Sequence, residues 1–134
     1  MNSNKFVEVS DKNILCCSPL VSVLMITYNH EEYLKDAIEG VVNQVCEFEF
    51  ELIIGEDASK DNTLSIAHEY QKKYPELIRV IYSEKNVGMN QNSTRIFQQA
   101  RGKYVAYCEG DDFWCDQRKL SKQVKLIESN PLVS

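Results

Sequence analysis

Glycine and proline are scarce, five and three residues in a chain of 134, which excludes a collagen-like or low-complexity polymer. No two glycines stand as G-x-G, so the dinucleotide fingerprint is missing. Gly102-Lys103-Tyr104 lacks the hydroxyl residue and the upstream glycine of a P-loop. The five cysteines, Cys16, Cys17, Cys46, Cys108 and Cys115, contain no C-x-x-C pair, which excludes the usual zinc and dithiol spacings and reads as free thiols in a reducing cytosol. Positive charge is not in surplus: fifteen basic against twenty acidic residues give a net charge of −5, no footprint for nucleic acid. No long apolar run is present either. The nearest, Ile14 to Ile26, is broken by Pro19 and leads into Tyr28-Asn29-His30 instead of a small-residue cleavage site. It therefore reads neither as a signal peptide nor as a membrane span. The expected location is the cytoplasm, with at most a peripheral association at the inner face of a membrane.

What is present suits a folded domain: 43% of the residues are hydrophobic and 26% charged, enough for one core. After a polar leader over residues 1–19, Val21 to Thr27 is a β-branched apolar run too short for a buried helix, hence a strand. Leu34, Ala37, Ile38, Val41, Val42 and Val45 then recur at helical spacing, with Asn29 and Glu32 placed as a capping box. The pattern repeats. Phe50 to Gly55 is a strand, and Thr63 to Tyr74 a helix capped by Asp61 or Ser59 and stopped by Pro75. Ile78 to Tyr82 is a strand, Gln91 to Ala100 a helix, Tyr104 to Cys108 a fourth strand, and Leu120, Val124 and Ile127 mark a last helix. Strand alternating with helix specifies an α/β fold: a mainly parallel sheet with helices on both faces.

In such sheets ligands bind beyond the carboxyl ends of the strands. That edge carries Thr27-Tyr28-Asn29, Glu56-Asp57, Glu84-Lys85-Asn86 with Gly88, and Glu109-Gly110-Asp111-Asp112. Carboxylates leaving three of four strands repel one another unless they share a cation, and hard oxygen ligands suit Mg²⁺ or Mn²⁺. Asp61 reads as an ordinary turn or cap residue. Glu109-Gly110-Asp111-Asp112 does not, because a cap needs only one acid. A phosphoacceptor receiver would need paired acids after its first strand, where Thr27-Tyr28-Asn29 stands. A nucleotidyltransferase would need a glycine-rich basic loop there.

The stretches Val21 to Asn29, Gly55-Glu56-Asp57-Ala58-Ser59-Lys60-Asp61-Asn62-Thr63, Asn86-Val87-Gly88, Gly102-Lys103-Tyr104 and Glu109-Gly110-Asp111-Asp112-Phe113-Trp114, in this order and spacing, closely resemble the family 2 glycosyltransferases of GT-A fold. The resemblance covers residues 20–134. It implies a Rossmann-like nucleotide-diphospho-sugar transferase half in which Thr27, Tyr28, Asn29, Asp57, Asn86 and Asp111 bind the nucleotide sugar. It also implies that Asp57 pairs with a uracil-type base and that Asp112 with Asp111 holds the metal, Mn²⁺ or Mg²⁺. The chain departs from the family's usual D-x-D-D at Glu109. Family members also carry an acceptor half with a carboxylate base. The chain reaches Pro131-Leu132-Val133-Ser134 with no candidate for that base.

The expectation is therefore that residues 20–134 are the nucleotide-sugar-binding portion of an inverting glycosyltransferase, stopping before the acceptor half. The enzyme would move a sugar from a UDP-sugar to an acceptor hydroxyl on a sugar or glycan, as in polysaccharide biosynthesis. The base would deprotonate that hydroxyl for attack on the anomeric carbon. The rival is a non-catalytic nucleotide-sugar-binding module. Five residues carry plainer expectations: His30 a solvated helix-end residue, His68 helix surface, Trp114 and Phe113 anchors of their loop at least as readily as stacking faces for a sugar, and Cys108 a small core residue.

Overall fold

The structure, a computed structural model, describes residues 5–129; the first four residues of the leader and the last residues, Pro131 to Ser134 among them, lie outside that range. Five strands, β1 (Val7–Val9), β2 (Val21–Thr27), β3 (Phe50–Glu56), β4 (Ile78–Tyr82) and β5 (Tyr104–Tyr107), form one sheet in the order β1-β4-β3-β2-β5. Four helices complete the fold: α1 (Leu34–Val42), α2 (Thr63–Lys73), α3 (Met89–Gln98) and α4 (Lys119–Ser129). The pairs β2–β3, β3–β4 and β2–β5 are parallel, as strand–helix–strand crossovers require.

The two-residue period of the strands splits the core in two. Val21, Val23 and Met25 of β2, with Leu52 and Ile54 of β3 and Ile78 and Val80 of β4, face a layer built from α1, α2 and α4. From those helices come Leu34, Ile38, Val41, Ala67, Leu120 and Val124. Leu24, Ile53 and Ile81 point the other way and pack on Ile96 of α3. Helices thus cover both faces, three on one and one on the other.

Two sequence expectations change. The sheet has five strands instead of four, because Val7–Val9 within the leader pairs antiparallel with β4, Val7 opposite Tyr82 and Val9 opposite Val80. A three-residue strand offers too little periodicity to be seen, and beside its ladder to β4 and the packing of Val9 it is held by an ion pair. Glu8 takes a two-pronged hydrogen bond from Arg79, 3.0 and 2.9 Å from Nε and Nη2. The capping box at Asn29 and Glu32 is also absent: α1 starts at Leu34 behind Tyr33 with no side-chain cap.

Arg79 belongs to a buried network at the amino ends of the strands. Its Nη1 reaches Glu51 Oε1 at 3.1 Å, and Glu51 also accepts from Ser22 Oγ at 2.6 Å and from Arg101 through backbone N and Nε at 2.9 Å each. Glu51 has no exposed surface. Burial alone would raise its pKa, but the bonds from Ser22 and Arg101 and the charge of Arg79 prevail and hold it below the ordinary value. A carboxyl depressed in the folded state gives stability that is complete above the ordinary glutamate value of 4.5 and is lost as pH falls through the folded value. Glu51→Gln should cost about 3 kcal/mol at neutral pH in urea unfolding, since it leaves Arg79 and Arg101 under-compensated. The deficit relative to wild type should shrink as pH drops from about 5 to about 3; a deficit independent of pH would remove Glu51 from the acid response.

Candidate functional site

The carboxyl ends of β2, β3 and β4, with the turn after β5, border a cleft of about 380 Å³ lined by Ile26, Thr27, Tyr28, His30, Asp57, Asn86, Gly88, Met89, Asn92 and Glu109. A larger hollow of about 560 Å³ between residues 8–13 and the end of α2 lies away from this edge. Of the residues expected at a nucleotide site, Thr27, Tyr28, Asp57 and Asn86 line the cleft. Asn29, Asp111 and Asp112 stand outside its lining.

Asp57 follows β3 and is almost fully buried. Its two carboxylate oxygens accept the backbone N–H groups of Val87 at 2.7 Å and Gly88 at 3.0 Å, while Asn86 Nδ2 donates to its carbonyl at 3.0 Å. Gly88 has φ 91°, a conformation that disfavours a side chain, and this lets both amides turn toward one carboxylate. Each oxygen keeps a further lone pair for a ligand N–H. Below this loop Arg95 is buried and gives Nη2 to Glu56 O at 2.9 Å, Nη1 to Ser83 Oγ at 2.7 Å and Nε to Asn92 Oδ1 at 3.0 Å. Asn92 Nδ2 in turn holds Gly55 O at 2.8 Å. The floor is therefore tied to β3, the end of β4 and α3 at once.

The opposite wall rests on strained backbone. Ala58 has φ 57° and Asn29 φ 55°, the left-handed region that β-carbon-bearing residues other than Asn and Asp rarely enter. Glu56, buried, compensates by accepting the N–H groups of Ala58 at 3.2 Å and Ser59 at 2.8 Å. Asn29 receives Lys60 N at its Oδ1, 2.9 Å, and gives its own N–H to Ser59 Oγ, 2.8 Å. Its observed contacts brace the rim. Asp61 acts as the turn residue expected, accepting Thr63 N at 3.0 Å.

His30 is not the solvated residue that the sequence suggested. Its Nδ1 is 2.9 Å from Thr27 Oγ1, and its Nε2 stands 3.8 Å from Asp111 Oδ2. Its position three residues past a strand end was the available signal, and it was outweighed by the commonness of histidine at helix ends. His68 is half-buried on its helix: its Nε2 is buried without a partner and its ring packs edge-on against Tyr82, 5.5 Å between centroids. Burial lowers its pKa, helped by Lys72 and opposed by Glu56.

Beyond β5, Glu109 faces the cleft, Asp111 and Asp112 are exposed, and Asp112 Oδ1 accepts Phe113 N at 2.9 Å. Trp114 anchors this turn in the core, whereas Phe113 stays exposed. The acids act on Cys108 beneath them: burial first, then Asp112, with smaller contributions from Asp111 and Glu109, pushes its thiol up to about 12. Among the described residues no three His, Cys, Asp or Glu side chains gather as a ligand set. Mg²⁺ is commonly held by one or two carboxylates and substrate phosphates, which fits the pair available here.

The turn comes so close to β2 that a Cβ on Gly110 would lie 2.6 Å from Thr27 Cβ and 2.8 Å from His30 Nδ1. Gly110→Ala should lower stability by about 1–3 kcal/mol in urea unfolding at unchanged m-value. Cys108, buried and held protonated, should resist a thiol-disulfide reagent in the native state while exposed Cys17 and Cys115 react. Mass spectrometry of the labelled chain reads the order, and early labelling of Cys108 would contradict the packing described.

The chain is similar to known proteins along most of its length. The uncharacterized protein Rv1520 of Mycobacterium tuberculosis is 46% identical over 111 residues, 83% of this chain and 32% of that protein. Staphylococcus aureus TarS, residues 1–349 in complex with UDP, superposes with a TM-score of 0.71 at 28% identity, covering 81% of this chain and 32% of that one. The mannosyltransferase PcManGT from Pyrobaculum calidifontis, in complex with GDP-Man and Mn²⁺, gives a TM-score of 0.75 over 86% of this chain and 34% of that one, at 20% identity. That last likeness shows the GT-A fold alone. The chain spans about a third of the length of the curated relatives it matches first. The family model described as glycosyl transferase family 2 matches residues 22–134, and with the order of motifs and the sheet described above, the chain belongs to that family.

Proposed function

We propose that residues 20–134 are the donor-binding portion of an inverting, metal-dependent glycosyltransferase that uses a UDP-sugar and delivers its sugar to a hydroxyl of a sugar or glycan acceptor, as in polysaccharide assembly. The observation that carries this reading is the cleft itself: a buried, oriented carboxylate, Asp57, at one end and an acidic turn at the other. Asp57 accepts a ring N–H of the base through its remaining lone pairs. Tyr28, 40% exposed at the mouth, offers a face for the base or ribose. Asn86 fixes the loop that closes over Asp57. Asp111 and Asp112 would hold Mn²⁺ or Mg²⁺ through hard oxygen atoms, and the bound ion would offset charge on the departing diphosphate. TarS, whose structures hold UDP and UDP-GlcNAc, supports a uridine donor. No side chain of the cleft is assigned as the base.

Calorimetry on the 134-residue chain tests the reading. UDP should bind in the presence of Mn²⁺ and lose at least about tenfold in affinity with a chelator, because an acidic rim repels a bare diphosphate. Asp112→Ala should lose the metal enhancement. Asp57→Ala should weaken uridine and UDP alike while the metal requirement persists. Equal UDP affinity with and without chelator would refute the metal assignment, and no UDP or GDP binding under any condition would refute the donor site.

A further inference from the structure

We infer that His30 is a direct ligand of the donor's diphosphate, presenting Nε2–H to a phosphate oxygen between the base end of the cleft and the acidic turn; the inference rests on the donor-site reading above. Three observations carry it. The first is the supply of donors in the lining: no lysine or arginine lines the cleft, Asn86 and Asn92 each give one amide hydrogen to a backbone carbonyl, those of Asp57 and Gly55, and Tyr28 stands exposed at the mouth. His30 is the lining side chain with a ring nitrogen still directed at the acidic end.

The second is the orientation of the ring. Nδ1 lies 2.9 Å from Thr27 Oγ1, so that nitrogen is taken up by the hydroxyl, and Nε2, 3.8 Å from Asp111 Oδ2, is the ring nitrogen left to face the acidic end of the cleft. Thr27 is buried, so this hydroxyl serves the ring and not the solvent.

The third is confinement. The backbone N–H of His30 donates to Thr63 Oγ1 at 2.9 Å, and the absence of a side chain on Gly110 lets the acidic turn press against the Thr27–His30 pair. The ring has its height and its rotation fixed before any ligand arrives, so little entropy is lost when it donates. It adds a fixed donor at the point where the leaving group's charge accumulates.

The test compares nucleoside with nucleoside diphosphate, UDP against uridine and GDP against guanosine, by calorimetry with Mn²⁺ on wild type, His30→Ala and His30→Gln. Thermal unfolding of each variant verifies the fold. In His30→Ala the diphosphate should lose about tenfold or more in affinity, with the nucleoside within about twofold of wild type. His30→Gln, whose amide nitrogen can reach the place of Nε2, should recover a substantial part. Equal losses for nucleoside and diphosphate would reduce His30 to a packing residue and overturn the inference, as would unchanged diphosphate affinity. A wild type that binds neither diphosphate would overturn the donor site and this assignment together, a result distinct from a binding wild type matched by His30→Ala.

Discussion

Strand β3 and its exit carry three carboxylates that see almost no water: Glu51 near the start, Glu56 at the end and Asp57 just after it. A buried carboxylate is tolerable only when the protein supplies donors for its oxygens, and the loops around β3 are arranged by that need. Glu51 collects Ser22, Arg79 and Arg101. Glu56 collects the amides of Ala58 and Ser59, and Asp57 those of Val87 and Gly88. The turns at both ends of the sheet are thus shaped by acids of one strand, and the central position of β3 brings those turns within reach of each other.

This arrangement explains what was legible from the chain alone. The long elements were, because runs such as Val21 to Thr27 and repeats such as Leu34, Ile38 and Val41 carry their period in side chains that end up buried. Asp57 was legible as a residue at the right edge, but its partners were not, since they are backbone amides and leave no mark in a sequence. Strand β1 was missed because three residues show no period and the side-chain bond that ties them down comes from Arg79, 71 positions from Glu8. His30 was misjudged for a related reason: Asp111, which its ring faces, is far along the chain and is brought to it only by the sheet. Asn29 was read as a cap from its spacing to Glu32, whereas its left-handed backbone sends its side chain to Lys60.

Membership in glycosyl transferase family 2 and the local geometry differ in what they specify. The family relation accounts for the architecture. The geometry supplies local physical detail: a carboxylate that shapes a loop and still has lone pairs to spare, and an acidic turn held against a threonine and a histidine by one missing side chain.

The Glu51 network and the cleft occupy opposite poles of the sheet. From Ser22 to Thr27 along β2 is five steps, roughly 17 Å at 3.3 Å per residue. Effects of substitutions at such separation tend to add without coupling. A lineage built on this scaffold can therefore exchange residues at the rim while the Glu51 pole is left intact; diversification and foldability are inherited through different parts of the same strands.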